Sequence, residues 1–473
     1  MTQKPHTPTS HEDVSHDSLD GLGYDWSWVA NPDTKPLYPF KVYLPQTTQD
    51  VVEVVEEVKR LGQELRIRSR GHSSNDLVLT DGAILLTDKL DQLIELNEAG
   101  ETVTVQAGFV LARLDKYLGE RGYGLPVIGD HSDITAGGFA SVGGFSPASL
   151  SYGMFVDNIA ALEYVNWDGE LIRCSNTENR DEFYRVITGT GQYGVIVTLT
   201  LNIMSIDKEQ TILGLRRTFY KNLDDFIEAT RRFVRDPPPP ADALMERIQW
   251  IDFPTPVGNI TFGQLSTYKE TSQTGWKALR NTVEFGYLHG LGRWAGQLPD
   301  KIDQLVKILG TAGVMLAPRY SSVKNVETLT DKVLDASVGD PTRWLAVISP
   351  VDEYEIIFRE LYRLCLEYRN RHEALTLIAL YVKALRSEYL DNLVPGKRFC
   401  ELLLYLNVNT RAMTEELTES LVSRIDDLCI EHGAFRYMHT KTVKDPQRRR
   451  LIDPNAAYNR EASAVHDPKE VQA

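Results

Sequence analysis

Two glycine-containing stretches hold the residues best suited to chemistry. Arg68-Ser69-Arg70-Gly71-His72-Ser73-Ser74-Asn75 follows an apolar run, and its small residues let backbone N–H groups converge on an anion such as a diphosphate. Taken alone, the segment better fits an ordinary turn with a surface histidine, until a second loop of the same kind is counted. A second stretch, Gly129 to Gly144, stands later in the same half of the chain. It offers another set of N–H groups and room for a flat ring system. An interior glycine costs a helix about 1 kcal/mol, so this stretch reads as an ordered loop system rather than a packed helix.

Residues 189–194 spell Gly-x-Gly-x-x-Gly, the form of a dinucleotide fingerprint. That fingerprint must follow a strand and open a helix, whereas here a helical pattern precedes it and the β-rich VIVTLTLNIM follows. A tight helix-to-strand turn is the expectation.

Candidate side chains in the second half come from alternation along strands. On LTLIALYVKAL, Tyr381 and Lys383 share a face opposite Ile378, Leu380 and Val382. On FCELLLYLNVN, Glu401, Tyr405 and Asn407 oppose Leu402, Leu404 and Leu406. On AFRYMHTKT, read as a strand, Phe435, Tyr437, His439 and Lys441 share a face. Such strands line a wet cavity or expose one face to solvent, and periodicity alone leaves both readings open.

These residues need elements to position them. FKVYLP reads as a strand and TTQDVVEVVEEVKRLG as a helix with Val51, Val54, Val55 and Val58 on one face; ELRIRSRGHSSND then runs from a strand into the first loop. AILLT, LIELN and TVTVQAG read as strands, VLARLDKYLGERG as a helix, and NIAALEYVNWDGELIRCS as a hairpin turning at Asp168-Gly169. RDEFYRVIT and VIVTLTLNIM close this unit near residue 204. From 205 to 430 the elements lengthen: helices around LDDFIEATRRFV and DEYEIIFRELYRLCLEYR, with strands LMERIQWIDF, LTLIALYVKAL and FCELLLYLNVN.

With 473 residues and 42% hydrophobic content, the chain can fill two or three cores. A net charge of −15 and short basic clusters argue against nucleic acid as a partner. The four cysteines are scattered, with no zinc-ligand spacing, so neither a disulfide framework nor a metal site is expected. No run of about 18 apolar residues suggests a membrane span, and the polar N-terminus suggests no secretory signal. A cytoplasmic protein is expected.

The order of elements from Phe40 to Met204, with R-G-H-S, then D-I-T-A-G-G-F-A-S-V-G-G, D-N-I-x-A-L-E-Y-V and G-x-Y-G-V-I-V-T-L-T-L, resembles the FAD domain of the vanillyl-alcohol oxidase (PCMH-type) superfamily, as found in aldonolactone and alditol oxidases. The resemblance implies an α+β, two-domain fold with a substrate domain built on an antiparallel sheet. Its expected units are a tail at 1–22, an FAD-binding domain at 23–204, a substrate domain at 205–430, a segment returning to the flavin at 431–460, and a tail at 461–473.

The resemblance also implies where FAD would be held. The first loop would contribute Arg68, Ser69, Arg70, Gly71, Ser73 and Ser74, with His72 bonded to the flavin 8α carbon. The second would contribute Gly129, Ser132, Asp133 and Thr135, followed by Gly137, Gly138, Ala140 and Ser141. Gly194, Val195 and Ile196 would complete the set. Tyr152 and its neighbours include no cysteine for a second covalent bond, so a single bond is expected.

The C-terminal Y-V-K, P-G-K-R-F-C and F-R-Y-M-H-T-K stretches are similar to those of decaprenylphosphoryl-ribose oxidases. That similarity implies Lys383 and Lys441 as active-site lysines and Cys400 as a pocket residue. His439 with Lys441 resembles the H-x-x-K or H-W-x-K segment of aldonolactone and alditol oxidases, although the Trp is absent and the spacing here is H-T-K, and Glu246 stands where those oxidases carry a Glu-x-Arg pair, although here Glu246 and Arg247 are adjacent. Salt-bridging is an equal alternative for Glu246. Tyr381, Glu401, Tyr405, Asn407 and Tyr437 would contact a small-molecule substrate. The implied reaction is hydride transfer from a CH–OH group of a sugar, polyol or lactone, with oxygen or another molecule accepting the electrons. A second resemblance, to cytokinin dehydrogenases that oxidise a C–N bond, lacks that family's Asp base.

Overall fold

The computed structural model describes residues 19–23, 25, 36–129, 131, 133–255, 258–272, 319–328, 342–409 and 412–459. Most of both expected tails and Ser132 lie outside the described residues. The first sheet is parallel. It contains β1 (Lys41–Tyr43), β2 (Leu65–Arg68) and β3 (Ala83–Leu86) in the order β1-β3-β2. Helix α2 (Thr48–Leu61) crosses between β1 and β2, and β3 fills the gap between them. The helix starts at a Thr47–Asp50 capping box and ends at Gly62, whose φ of 65° suits a residue without a Cβ. Its valines bury against Ala83 and Leu85. A short helix α1 (Leu19–Leu22) departs from the expected tail, because Leu22 is buried on Ile84 and Leu86.

A five-stranded antiparallel sheet follows, ordered β4-β5-β9-β7-β8, from β4 (Leu93–Asn97), β5 (Thr102–Gln106), β7 (Ile159–Asn166), β8 (Leu171–Ser175) and β9 (Gly194–Asn202). The hairpin β7–β8 turns at Gly169, with φ 87°. Helix α3 (Leu111–Gly119) buries Leu111, Leu114 and Leu118 in the same core. The glycine-rich stretch differs from its expectation, for it contains helix α4 (Ala136–Ala140), and helix α5 (Ser149–Tyr152) follows it. The Thr135 side chain caps α4, and a Cβ on Gly137 would come within 2.7 Å of the Ala107 Cβ. Helix propensity is given up there for close approach to the strand.

The largest sheet has eight strands. In sequence they are β11 (Ile212–Tyr220), β12 (Met245–Thr255), β13 (Gly258–Glu270), β14 (Tyr320–Ser322), β15 (Thr342–Pro350), β16 (Leu375–Ala384), β17 (Phe399–Val408) and β18 (Phe435–Arg436), ordered β14-β11-β13-β12-β16-β17-β15-β18. Helix α7 (Leu223–Arg235) and the helices Tyr354–His372 and Glu415–Glu431 cover one face. Ile248, Leu380, Val382, Leu402 and Leu404 bury beneath them, which is the oily face that alternation assigns. The opposite face carries Lys383, Glu401 and Leu403 toward the glycine-rich loops. The structure is therefore mixed α and β with antiparallel sheets, as expected at that level.

The strand expected over AFRYMHTKT stops after Arg436. The Arg436 side chain is fully buried against Asp426 and donates to the carbonyls of Ala346 (2.9 Å) and Lys441 (2.8 Å). Drawing the Lys441 carbonyl back to residue 436 requires a turn, closed by the Thr440 amide on the Tyr437 carbonyl at 3.0 Å. Alternation beyond Arg436 accordingly fails.

Candidate active site

A cleft of about 1520 Å³, counting its open mouth, lies between the two glycine-bearing loops and the free face of the large sheet. The first loop lines it from Ser69 to Ser74. Gly71, with φ 69°, turns the chain there, and a Cβ would meet the Arg68 guanidinium at 2.6 Å. Arg68 points away from the cleft, its Nη2 donating to the Gly21 carbonyl at 3.3 Å, so it supports the loop from behind. From the second stretch, Gly129, Thr135, Gly137, Gly138 and Ser141 line the cleft as expected. Ala140 is buried in the core instead.

Asp133 does not line the cleft; its carboxylate pairs with the Nε2 of His72. His131 stands beside this pair, its ring 5.0 Å from that of His72. Along β9 the expected residues split by alternation. Gly194 and Ile196 reach the cleft, whereas Val195 faces the core of α2.

The far wall comes from the large sheet and the turn after Arg436. Lys383 Nζ lies 3.2 Å from the Glu401 carboxylate, and both line the cleft. Tyr437 lines the cleft, and its hydroxyl oxygen accepts from the Gly144 amide at 3.1 Å. His439 packs against Tyr437 with ring centroids 4.1 Å apart. Burial, with His131, His72, Lys383 and Arg436 nearby, holds its imidazole down to a pKa of about 3, so the ring is neutral at ordinary pH. Its Nδ1 is buried without a hydrogen-bond partner.

Other expected residues are placed elsewhere. Lys441 follows the Tyr437–Thr440 turn and does not line the cleft. Cys400 lies in the core beneath the helices, its thiol 3.7 Å from the Ser349 carbonyl, on the face opposite Glu401. Glu246 is also buried on that side, where its Oε1 accepts the Ala384 amide at 2.6 Å. Burial raises the Glu246 carboxyl well above its usual range. Tyr381 and Tyr405 share the face of Lys383 but sit in a side cluster with Trp344, where the Tyr405 and Trp344 rings meet at 4.8 Å. The Asn407 side chain lies outside the described residues.

Residues not anticipated also line the cleft: His131, Phe145, Thr190, Gly191, Trp344 and Leu403. Thr190 and Gly191 belong to the Gly-x-Gly-x-x-Gly run, which is indeed a helix-to-strand turn after α6 (Arg180–Val186). Reading that run as a turn was right, yet the turn itself reaches the site.

The cleft suits a flavin dinucleotide. Ser73 Oγ is buried without a hydrogen-bond partner in the first loop, where it could donate to a diphosphate oxygen. Phe145, Val142, Ile134 and Leu403 offer apolar walls for a ring system. Residues 39–175 match the family described as FAD binding domain. The chain carries an FAD-binding-domain match over that stretch and is similar to lactone oxidases. It is 27% identical over 197 residues to the L-gulonolactone oxidase of Bos taurus, covering 41% of this chain and 44% of that protein. Against the D-arabinono-1,4-lactone oxidase of Kluyveromyces lactis it is 30% identical over 185 residues, 38% of this chain and 34% of the relative. An uncharacterized oxidoreductase of the fasciation locus of Rhodococcoides fascians matches at 26% over 316 residues, 59% of this chain and 70% of that protein. The match spans less than half the length of either lactone oxidase. Among the described residues, no helix is long and apolar enough to cross a membrane.

Proposed function

We propose that this protein is an FAD-dependent oxidase that takes a hydride from the CH–OH group of a sugar, polyol or lactone-like substrate. The observation carrying this reading is a single cleft in which the small-residue loops of the first half face Lys383, Glu401 and the neutral His439 of the second. The names of the lactone oxidases support the substrate class. A bound FAD supplies the electron sink, with oxygen as the acceptor.

The protein's own residues would divide the remaining work. Ser73 and the first-loop amides ahead of Ser74 would hold the diphosphate, and Phe145 and Leu403 would flank the ring. Asp133 on Nε2 of His72 leaves Nδ1 as the basic nitrogen, suited to the bond with the flavin 8α carbon. His439, uncharged and with Nδ1 unpartnered, would accept a hydrogen bond from the substrate hydroxyl and so orient it. Lys383, fixed by Glu401, would orient the hydroxyl and offset negative charge on the reduced ring.

Hydrogen peroxide formation with aldonolactones, polyols and amines tests the reaction class. Turnover is expected with a hydroxyl donor; turnover with amines alone would replace this reading by C–N oxidation. Covalent attachment is tested separately by acid precipitation, with yellow colour expected in the pellet of the wild type and in the supernatant for His72→Ala.

A further inference from the structure

The turn between α6 and β9 carries backbone strain. Thr188 and Thr190 have φ of 61° and 50°, in the left-handed region that β-branched residues avoid, and Gly191 follows at 78°. Such conformations persist only where the surroundings over-determine them, and they gather at ligand contacts. Thr190 and Gly191 line the cleft. Two tethers come from α4 and the residue after it: the Thr188 amide donates to the Ala140 carbonyl and the Thr190 amide to the Ser141 carbonyl, both at 2.9 Å.

The remaining tether comes from the far end of the chain. Asn455 is fully buried in the helical residues 454–459. Its side-chain amide lies 3.3, 3.1 and 3.0 Å from the carbonyls of Tyr184, Arg185 and Ile187, and 3.2 Å from Thr188 Oγ1. These carbonyls end α6, which an αL cap would ordinarily satisfy. Tyr458 stacks on Tyr184 at 5.0 Å, and Tyr389 holds Thr188 Oγ1 at 2.5 Å. The same C-terminal segment also grips the first loop, where the Ser74 backbone amide donates to the His439 carbonyl at 2.8 Å and the Asn75 side-chain Nδ2 to the Met438 carbonyl at 3.0 Å.

We propose that the Thr188–Gly191 turn is a flavin-contacting element held in its strained form by Asn455, which makes Asn455 a positioning residue for FAD binding. The proposal rests on the FAD reading of the cleft. Releasing the α6 carbonyls lets the turn relax to right-handed backbone, which withdraws Thr190 and Gly191 from the cleft. A glycine at 190 adopts the required φ without help.

The test is FAD fluorescence quenching on the full chain expressed without riboflavin, recorded in the first minutes after mixing. Asn455→Ala is expected to weaken FAD binding about tenfold or more, the size of one strained residue. Adding Thr190→Gly to Asn455→Ala is expected to restore much of that loss, a rescue that a general loss of stability would not give. Amide exchange in the FAD-free chain adds a readout that needs no flavin, with faster exchange at Thr188 and Thr190 expected in Asn455→Ala. Unchanged affinity and exchange in Asn455→Ala, or no rescue by glycine, would overturn the proposal. A wild-type chain that binds no FAD would instead overturn the reading of the cleft, and exchange at the turn would still decide whether Asn455 holds it.

Discussion

Lys383 and Lys441 look alike in sequence, each on a run with polar alternation, but only Lys383 lines the cleft. Lys383→Met is expected to slow flavin reduction by substrate about 100-fold, the scale for removing one positioned donor, while leaving FAD bound. Lys441→Met is expected to change it little. Stopped-flow reduction of the two variants separates them. His439 carries a second expectation. Its folded pKa of about 3 lies below the ordinary 6.5, so its contribution to stability is complete above pH 6.5 and is lost as the pH falls toward 3. His439→Asn is expected to flatten acid unfolding in that window and to slow reduction about 100-fold or more. For Glu246 the sign reverses, since its folded pKa is raised. Its cost appears as pH rises above 4.5, so Glu246→Gln should gain stability at neutral pH relative to the wild type, read by urea unfolding at pH 4 and pH 8.

At the scale of elements, alternation worked where strands were long. It placed Lys383 and Glu401 on one face and the leucines of β17 on the other. It failed after Arg436, because one buried guanidinium gathers the Ala346 and Lys441 carbonyls with Asp426, and nothing in the local pattern announces a contact made across ten residues and another strand. Glycine counting likewise missed α4, whose glycines serve contact with Ala107. The first loop was legible because small residues after a strand have a local meaning; Trp344 was not, since its place in the cleft depends on strand order β17-β15. Asp426→Asn should leave Arg436 buried without its counter-charge, at a cost of about 3–5 kcal/mol. Urea unfolding would measure that loss, and His439 should lose its fixed place with it.

On the scale of the whole molecule, the cleft exists because distant segments close on it. Lys208 bridges Asp115 of α3 (2.9 Å) and Glu327 (2.9 Å), and Lys324 adds a contact to Asp115 (2.9 Å), all largely buried. Facing lysines hold Asp115 down to about 2, whereas burial pushes Glu327 up to about 7. This charge cluster ties the first half of the chain to the second away from the cleft, as the 436–459 segment does beside it. Neither tie is readable from sequence, because each joins residues more than 90 positions apart.

At the centre of the proposed function is a flavin bound in this cleft and reduced by a CH–OH donor. The most direct measurement is anaerobic mixing of the FAD-loaded full chain with a panel of aldonolactones, sugars, polyols and amines, followed by admission of air. Bleaching of the yellow absorbance by at least one hydroxyl donor, and its return with air, is the predicted result. A flavin that stays oxidised with every hydroxyl donor, or a chain that binds no FAD, would contradict it.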